Sequence, residues 1–124
     1  GVSSEMQELL LSNRPEAAEA VDYFVMRAQR EIASLAAVLG GLDALIFTGG
    51  IGENSAVIRQ RIVERLGFLG LEIDEQQNDA NAIDVGRNGS NVFVIPTDEE
   101  VTIARAVDAA LVQAEAKVPI YAKG

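Results

Sequence analysis

A chain of 124 residues with 48% hydrophobic and 23% charged residues carries enough apolar surface for one small packed core, and too much of it for a disordered segment. Its formal charge of −9, with Lys117 and Lys123 as the only lysines, excludes nucleic acid as a partner, because neutralising phosphates needs clustered basic side chains. The absence of Cys and His excludes disulfides, thiolate chemistry, a Ser-His-Asp arrangement and the usual zinc sites. No apolar stretch reaches the roughly 18 residues of a membrane span, and no basic-then-apolar leader pattern opens the chain, so the expectation is a soluble cytoplasmic protein without a membrane partner.

Gly1 to Ser4 reads as a small-residue turn ahead of a short helix carrying Met6, Leu9, Leu10 and Leu11. From Pro15 the apolar positions Val21, Phe24, Val25, Ala28, Ile32, Leu35, Ala36 and Leu39 step by three and four, which predicts a long amphipathic helix. Pro15 suits its first turn and Gly40-Gly41 stops it. Asp43 to Thr48 is a short apolar run of the kind found in a sheet-core strand.

The strand runs straight into Gly49-Gly50-Ile51-Gly52-Glu53-Asn54. Three glycines within four residues let the backbone turn sharply and leave room for a ligand beside it. A helix from about Ser55 to Leu66 follows, with Ile58, Ile62 and Leu66 inward, Asn54 or Ser55 as its cap and Gly67 as its stop. A helix opening there directs its first N–H groups at whatever sits in the turn, a layout that suits a phosphate or nucleotide. Arg59, Arg61 and Arg65 on this helix read as a solvated face in weak ion pairing, with approach to a phosphate as the alternative.

Phe68 to Ile73 alternates weakly, like a short strand. Asp74 to Asn91 is rich in Asn, Asp and Gly and reads as a surface excursion of little chemical interest around a piece of strand near Ala82 to Val85. Asn91 to Pro96 is a second buried strand, and Thr97 to Glu100 opens a helix with Val101, Ala104, Val107 and Leu111 on one face. Thr97 and Glu100 fit a capping box. Helices alternating with strands in this order imply an α/β fold with parallel strands and crossover helices. Both strand-to-helix turns then lie at the same sheet edge, where ligands of open α/β folds bind.

The glycine turn alone leaves alternatives open. Gly50-Ile51-Gly52 begins like a dinucleotide fingerprint, but Ser55 stands where the third glycine belongs, and Asp74 is the best candidate for the ribose-binding acid. The Walker pattern fails for want of a following Gly-Lys-Ser/Thr. Glycines that serve only close helix packing are the plainer reading, and the acids at 98–100 then serve only the helix dipole.

The runs IFTGGIGENSAVIR (46–59), VIPTDEEVTIAR (94–105) and GVSSEMQELL (1–10) together resemble the C-terminal part of the acetate and propionate kinase family, over nearly the whole chain. The resemblance implies a partial ribonuclease H-like domain of the actin-like ATPase superfold. It implies ATP or ADP and Mg²⁺ as cofactors, and a short-chain carboxylate such as acetate as the phosphoryl acceptor. Gly50, Ile51, Gly52, Glu53 and Asn54 would line the adenosine side of the nucleotide site, with Glu5 and Met6 as further nucleotide contacts. Glu99 would be the Mg²⁺-associated carboxylate of the family's PT-x-EE motif. Homodimerisation through the same domain is implied too, with Phe24, Val25 and Ile32 as positions for either core or interface.

Two features depart from that pattern. Gln7 stands where the family usually has Arg, so the Arg role is not carried to it, while Glu5 in place of Asp keeps the charge with one more methylene. Asp98 replaces a frequent Asn. The family's catalytic Arg, Asp and His belong to a portion that this sequence does not contain. The chain is therefore expected to be a C-terminal piece of a two-domain kinase, inactive alone and completed by the missing N-terminal portion.

Overall fold

The computed structural model describes residues 2–96, 109–113 and 120–121. Helix α1 (Val2–Leu11) and helix α2 (Pro15–Leu39) come first, so the small-residue turn expected at Gly1 to Ser4 is helical from Val2 onward. In α2 the residues Ala17, Val21, Val25, Ala28, Ile32 and Ala36 are buried, one stripe at three- and four-residue spacing, as the periodicity requires. Pro15 stands in the first turn, and Gly40 ends the helix in the left-handed conformation at φ 80°, its N–H donating to Ala36 O. Val25 and Ile32 lie inside the chain's own core at 5% and 0% exposure, which settles them as core positions. Phe24 is half-buried against that core.

Strand β1 (Ala44–Thr48) is the heart of the sheet. It pairs in parallel with β2 (Val92–Val94) on one side and with β3 (Ala109–Gln113) on the other, and β4 (Ile120–Tyr121) adds antiparallel to β3, giving the order β2-β1-β3-β4. The expectation of parallel strands therefore holds for β1, β2 and β3, and the edge strand β4 makes the sheet mixed. Leu111 was expected on a helix and lies instead in β3. The run Ala109-Ala110-Leu111-Val112 is too short for its period to separate helix from strand, and the open edge of β1 decides it. The rest of that expected helix, including the capping pair Thr97 and Glu100, lies outside the described residues.

Alternate residues of the strands serve two faces. Leu45, Phe47, Val92 and Val94 pack with Val25, Ile32, Ile51, Ile58 and Ile62 in the principal core. Ile46 lies on the opposite face with Ala44, Phe93 and Ile95. Between β1 and β2 the chain forms α3 (Gly50–Asn54), α4 (Ala56–Val63), a 3-10 turn at Gly67–Leu69 and α5 (Glu75–Asp79). The strand expected within Phe68 to Ile73 reduces to a single bridge from Ile73 to Gly86, and the one near Ala82 to Val85 to a bridge from Asp84 to Phe93. Helix α4 is joined to α2 by Gln29, whose Nε2 donates to the carbonyls of Arg61 and Ile62 at 3.0 and 3.2 Å, and by an exposed ion pair from Arg61 to Asp22.

Ile32 is fully buried where α2 meets the sheet, whereas Val38 on the same helix is 81% exposed. Ile32→Ala should lower the unfolding free energy by about 2–5 kcal/mol through lost burial and a residual cavity. Val38→Ala should stay within about 0.5 kcal/mol of the parent. Urea titrations of both variants, read by circular dichroism, check the contrast.

Candidate functional site

Parallel pairing puts the C-terminal ends of β1 and β2 side by side. Phe47 is in register with Val94, and the N–H of Ile95 donates to Phe47 O at 2.9 Å, so the glycine turn after Thr48 and the segment entering Pro96 leave the sheet at the same edge. Gly49 takes φ 69°, ψ 158° and Gly50 φ 24°. The first of these conformations is open essentially to glycine alone. The turn does not pass directly into the main helix. It closes into the single-turn α3, with Glu53 N–H donating to Gly49 O at 2.9 Å and Asn54 Nδ2 to Gly50 O at 2.9 Å. Ser55 then caps α4, its hydroxyl accepting from Ile58 N–H at 3.2 Å, which occupies one of the N–H groups that the sequence directs at a ligand.

The residues singled out for a nucleotide divide by exposure. Ile51, at 1% exposure, and Met6, at 6%, are core side chains, and Gly52 is buried beside them. Gly50 and Glu53 are half-buried and Asn54 is exposed. Helix α1 packs against α3, which brings Met6 to the glycine turn, whereas Glu5 is exposed and lines a separate groove where α1 meets α2. At the sheet edge itself a groove of about 350 Å³ is lined by Glu53, Asn54, Asn81, Ile83, Val94, Ile95 and Pro96. Its lining combines an apolar surface with amide and carboxylate groups, the chemistry of many small-molecule sites. Thr48, the last residue of β1, is fully buried with its Oγ1 unbonded among the described residues.

Arg59 departs furthest from the sequence expectation. It neither faces solvent nor approaches a ligand position but is fully buried, and all five of its N–H donors are taken. Nε donates to Asn78 Oδ1 at 2.7 Å, one terminal nitrogen to the carbonyls of Gly52 and Glu53 at 3.0 and 3.1 Å, and the other to Asn78 O at 2.9 Å and to Asn81 Oδ1. Asn78, 1% exposed, also donates from Nδ2 to Ala56 O at 2.8 Å. The segment read as a surface excursion thus supplies the acceptors for a buried cation. A run of Asn within a polar loop carries no sign of this, because the acceptors meet Arg59 only on folding.

Burial lowers the Arg59 pKa from its ordinary value to about 10, opposed by the nearby Asp79 carboxylate. The group therefore stays cationic at neutral pH. Since its folded value lies below the unfolded one, the unfolded chain holds this proton more tightly. Its contribution to stability is flat through the neutral range and rises with pH only from about 10 up to the ordinary arginine value.

Asp74, the candidate ribose-binding acid, caps α5 by accepting from Gln77 N–H at 2.9 Å. Glu99 lies outside the described residues. Among the described residues no group of three or more Asp or Glu side chains converges in a way that could hold a metal ion, so Mg²⁺ is given no ligand set there. No helix among them is long and apolar enough to cross a membrane.

Gly49→Ala should cost about 1–3 kcal/mol, because an L-residue is strained at its φ and ψ. Ser55→Ala should cost about 1 kcal/mol for the lost cap. Thermal melts of the two variants, compared with the parent, measure both.

The family model described as the Acetokinase family matches residues 1–105. The chain is 50% identical over 107 residues to an acetate kinase of Methylocella silvestris, covering 85% of this chain and 26% of that protein. It is 47% identical over 111 residues to an acetate kinase of Rhodopseudomonas palustris, covering 86% of this chain and 28% of that protein. Among solved structures, a propionate kinase from Francisella tularensis superimposes with a TM-score of 0.69 at 38% identity, over 83% of this chain and 27% of that one. Porphyromonas gingivalis acetate kinase gives 0.70 at 30% identity, over the same shares. The chain thus spans about a quarter of the length of the curated relatives it matches. An α/β sheet with parallel strands, a glycine turn at the C-terminal edge of those strands and these likenesses together identify the actin-like ATPase fold, and the chain belongs to the acetokinase family.

Proposed function

We propose that this chain is the C-terminal, nucleotide-binding portion of an ATP-dependent carboxylate kinase, which transfers the γ-phosphoryl group of ATP to a carboxylate oxygen of acetate and yields acetyl phosphate and ADP. The observation that carries this reading is the shared sheet edge. Parallel β1 and β2 deliver the glycine turn and the Val94–Pro96 segment to one groove, at the end of the strands where α/β folds hold their ligands. Gly50, Ile51, Gly52, Glu53 and Asn54 form the adenosine side of the site. Ile51 and Met6 support it from the core, Glu5 in its separate groove is not part of it, and Glu99, placed by sequence alone, serves Mg²⁺ through water. When bound, Mg²⁺ neutralises charge on the phosphoryl oxygens.

The acceptor is a short-chain carboxylate, read as acetate from the names of the curated relatives at 47–50% identity, with propionate as the alternative that the 38% identical propionate kinase structure keeps open. The chain alone is inactive. In-line phosphoryl transfer needs cations against the developing charge, and Arg59, the buried cation beside the glycine turn, has every donor committed to protein acceptors. The remainder of the kinase supplies the cationic clamp and the acyl pocket. Homodimerisation belongs to the same reading, through surfaces other than Val25 and Ile32, which the chain's own core consumes.

Titration of the purified chain with Mg²⁺-ADP, followed by amide NMR, should shift resonances clustered at Gly49 to Ser55 and near Glu99. A dispersed spectrum that stays unmoved at millimolar nucleotide rejects a preformed half-site. The same chain with Mg²⁺-ATP and acetate should form no acetyl phosphate, and detectable product would reject its inactivity.

A further inference from the structure

Arg59 bonds to two separate chain segments that both line the sheet-edge groove. Its guanidinium binds the carbonyls of Gly52 and Glu53, at the end of α3, and Glu53 and Asn54 are lining residues. It also binds Asn78 and Asn81, and Asn81 and Ile83 are lining residues from the second segment. We infer that Arg59 is a positioning residue that holds these two lining segments in a fixed relative position, and so sets the affinity of the groove for a nucleoside diphosphate. The inference rests on the nucleotide reading above.

Three features of the geometry make the clamp specific. The guanidinium is a rigid planar fork, so four acceptor-bearing residues held at once have their relative positions fixed in two dimensions, which a lysine ammonium with three rotatable donors cannot reproduce. The acceptors on the α3 side are backbone carbonyls near a helix end, groups that need a donor when buried. In the second segment Asn81 stands at φ 52°, and accepting from Arg59 through Oδ1 leaves its Nδ2 as the donor on offer to a ligand. The clamp thus fixes the amide's orientation as well as its place.

Three variants of the chain test this by Mg²⁺-ADP titration, at a temperature where each is folded by circular dichroism. Arg59→Lys keeps the charge and loses the fork. Asn81→Gly keeps the positive φ and removes one acceptor. Val21→Ala, in the core on α2, lowers stability without touching the groove. The expected result is ADP affinity weakened about tenfold in Arg59→Lys and about threefold in Asn81→Gly, with Val21→Ala binding like the parent despite its lower melting temperature. Affinity in Arg59→Lys within twofold of the parent, or a loss in Val21→Ala that tracks its melting temperature as closely, would overturn the clamp. If the parent chain itself binds no ADP, the nucleotide reading fails and the ligand-free spectra decide the clamp. Paired shifts at Glu53–Asn54 and Asn81–Ile83 in Arg59→Lys, with α2 unmoved, uphold it, and unmoved lining segments reject it.

Discussion

Parallel pairing of β1 on both of its edges is the constraint on which the rest of this structure depends. A strand flanked by β2 and β3 has no free edge, and Leu45 to Thr48 are buried throughout, so the end of β1 is fixed in space by backbone hydrogen bonds and by core contacts on both faces. The glycine turn inherits that fixity. Its first residue leaves a fully buried Thr48 and enters a conformation that glycine alone tolerates, and the Phe47–Val94 register sets the height at which the neighbouring strand delivers Ile95 and Pro96. A slip of one residue would turn Phe47 and Val94 away from the principal core.

On this frame the groove is closed by polar contacts instead of further apolar burial. A buried guanidinium is expensive unless every donor is matched, and Arg59 meets that demand with two backbone carbonyls of the glycine-turn helix, two side-chain amides and one more carbonyl. All its acceptors are formally neutral, which leaves the cation's charge uncompensated at contact distance and accounts for the depressed pKa despite Asp79 nearby. The arrangement joins α3, α4 and α5, three short elements of which α5 buries only the polar Asn78. It explains how a loop rich in Asn and Asp takes a definite course across the sheet edge.

Membership in the acetokinase family, at 47–50% identity to proteins of which the matched segment is about a quarter, gives this architecture its context. Phosphoryl transfer rests on positioning and on charge neutralisation by groups drawn from different parts of a fold. This chain spans about a quarter of its curated relatives, and the partners that fix the sheet edge and bury Arg59 all lie within it.

Much of this was legible in the residues. The three- and four-residue spacing of Val21, Val25, Ala28, Ile32 and Ala36 determined α2, Gly40 determined its end, and the apolar run before Gly49 determined β1, because these features report local backbone preference and one-sided burial, which sequence periodicity encodes directly. The specific string from Ile46 to Arg59 likewise determined the family. Only the tertiary structure decided that Leu111 lies in a strand, since a four-residue apolar run takes its form from the open edge it meets, and that Met6 and Ile51 sit in the core instead of opening to a ligand. It alone decided the fate of Arg59 as well. Charge and helical position placed that side chain in solvent, but its five acceptors come from segments up to 22 residues away, and a partner that exists only after the chain has closed leaves no periodic trace in the sequence that supplies it.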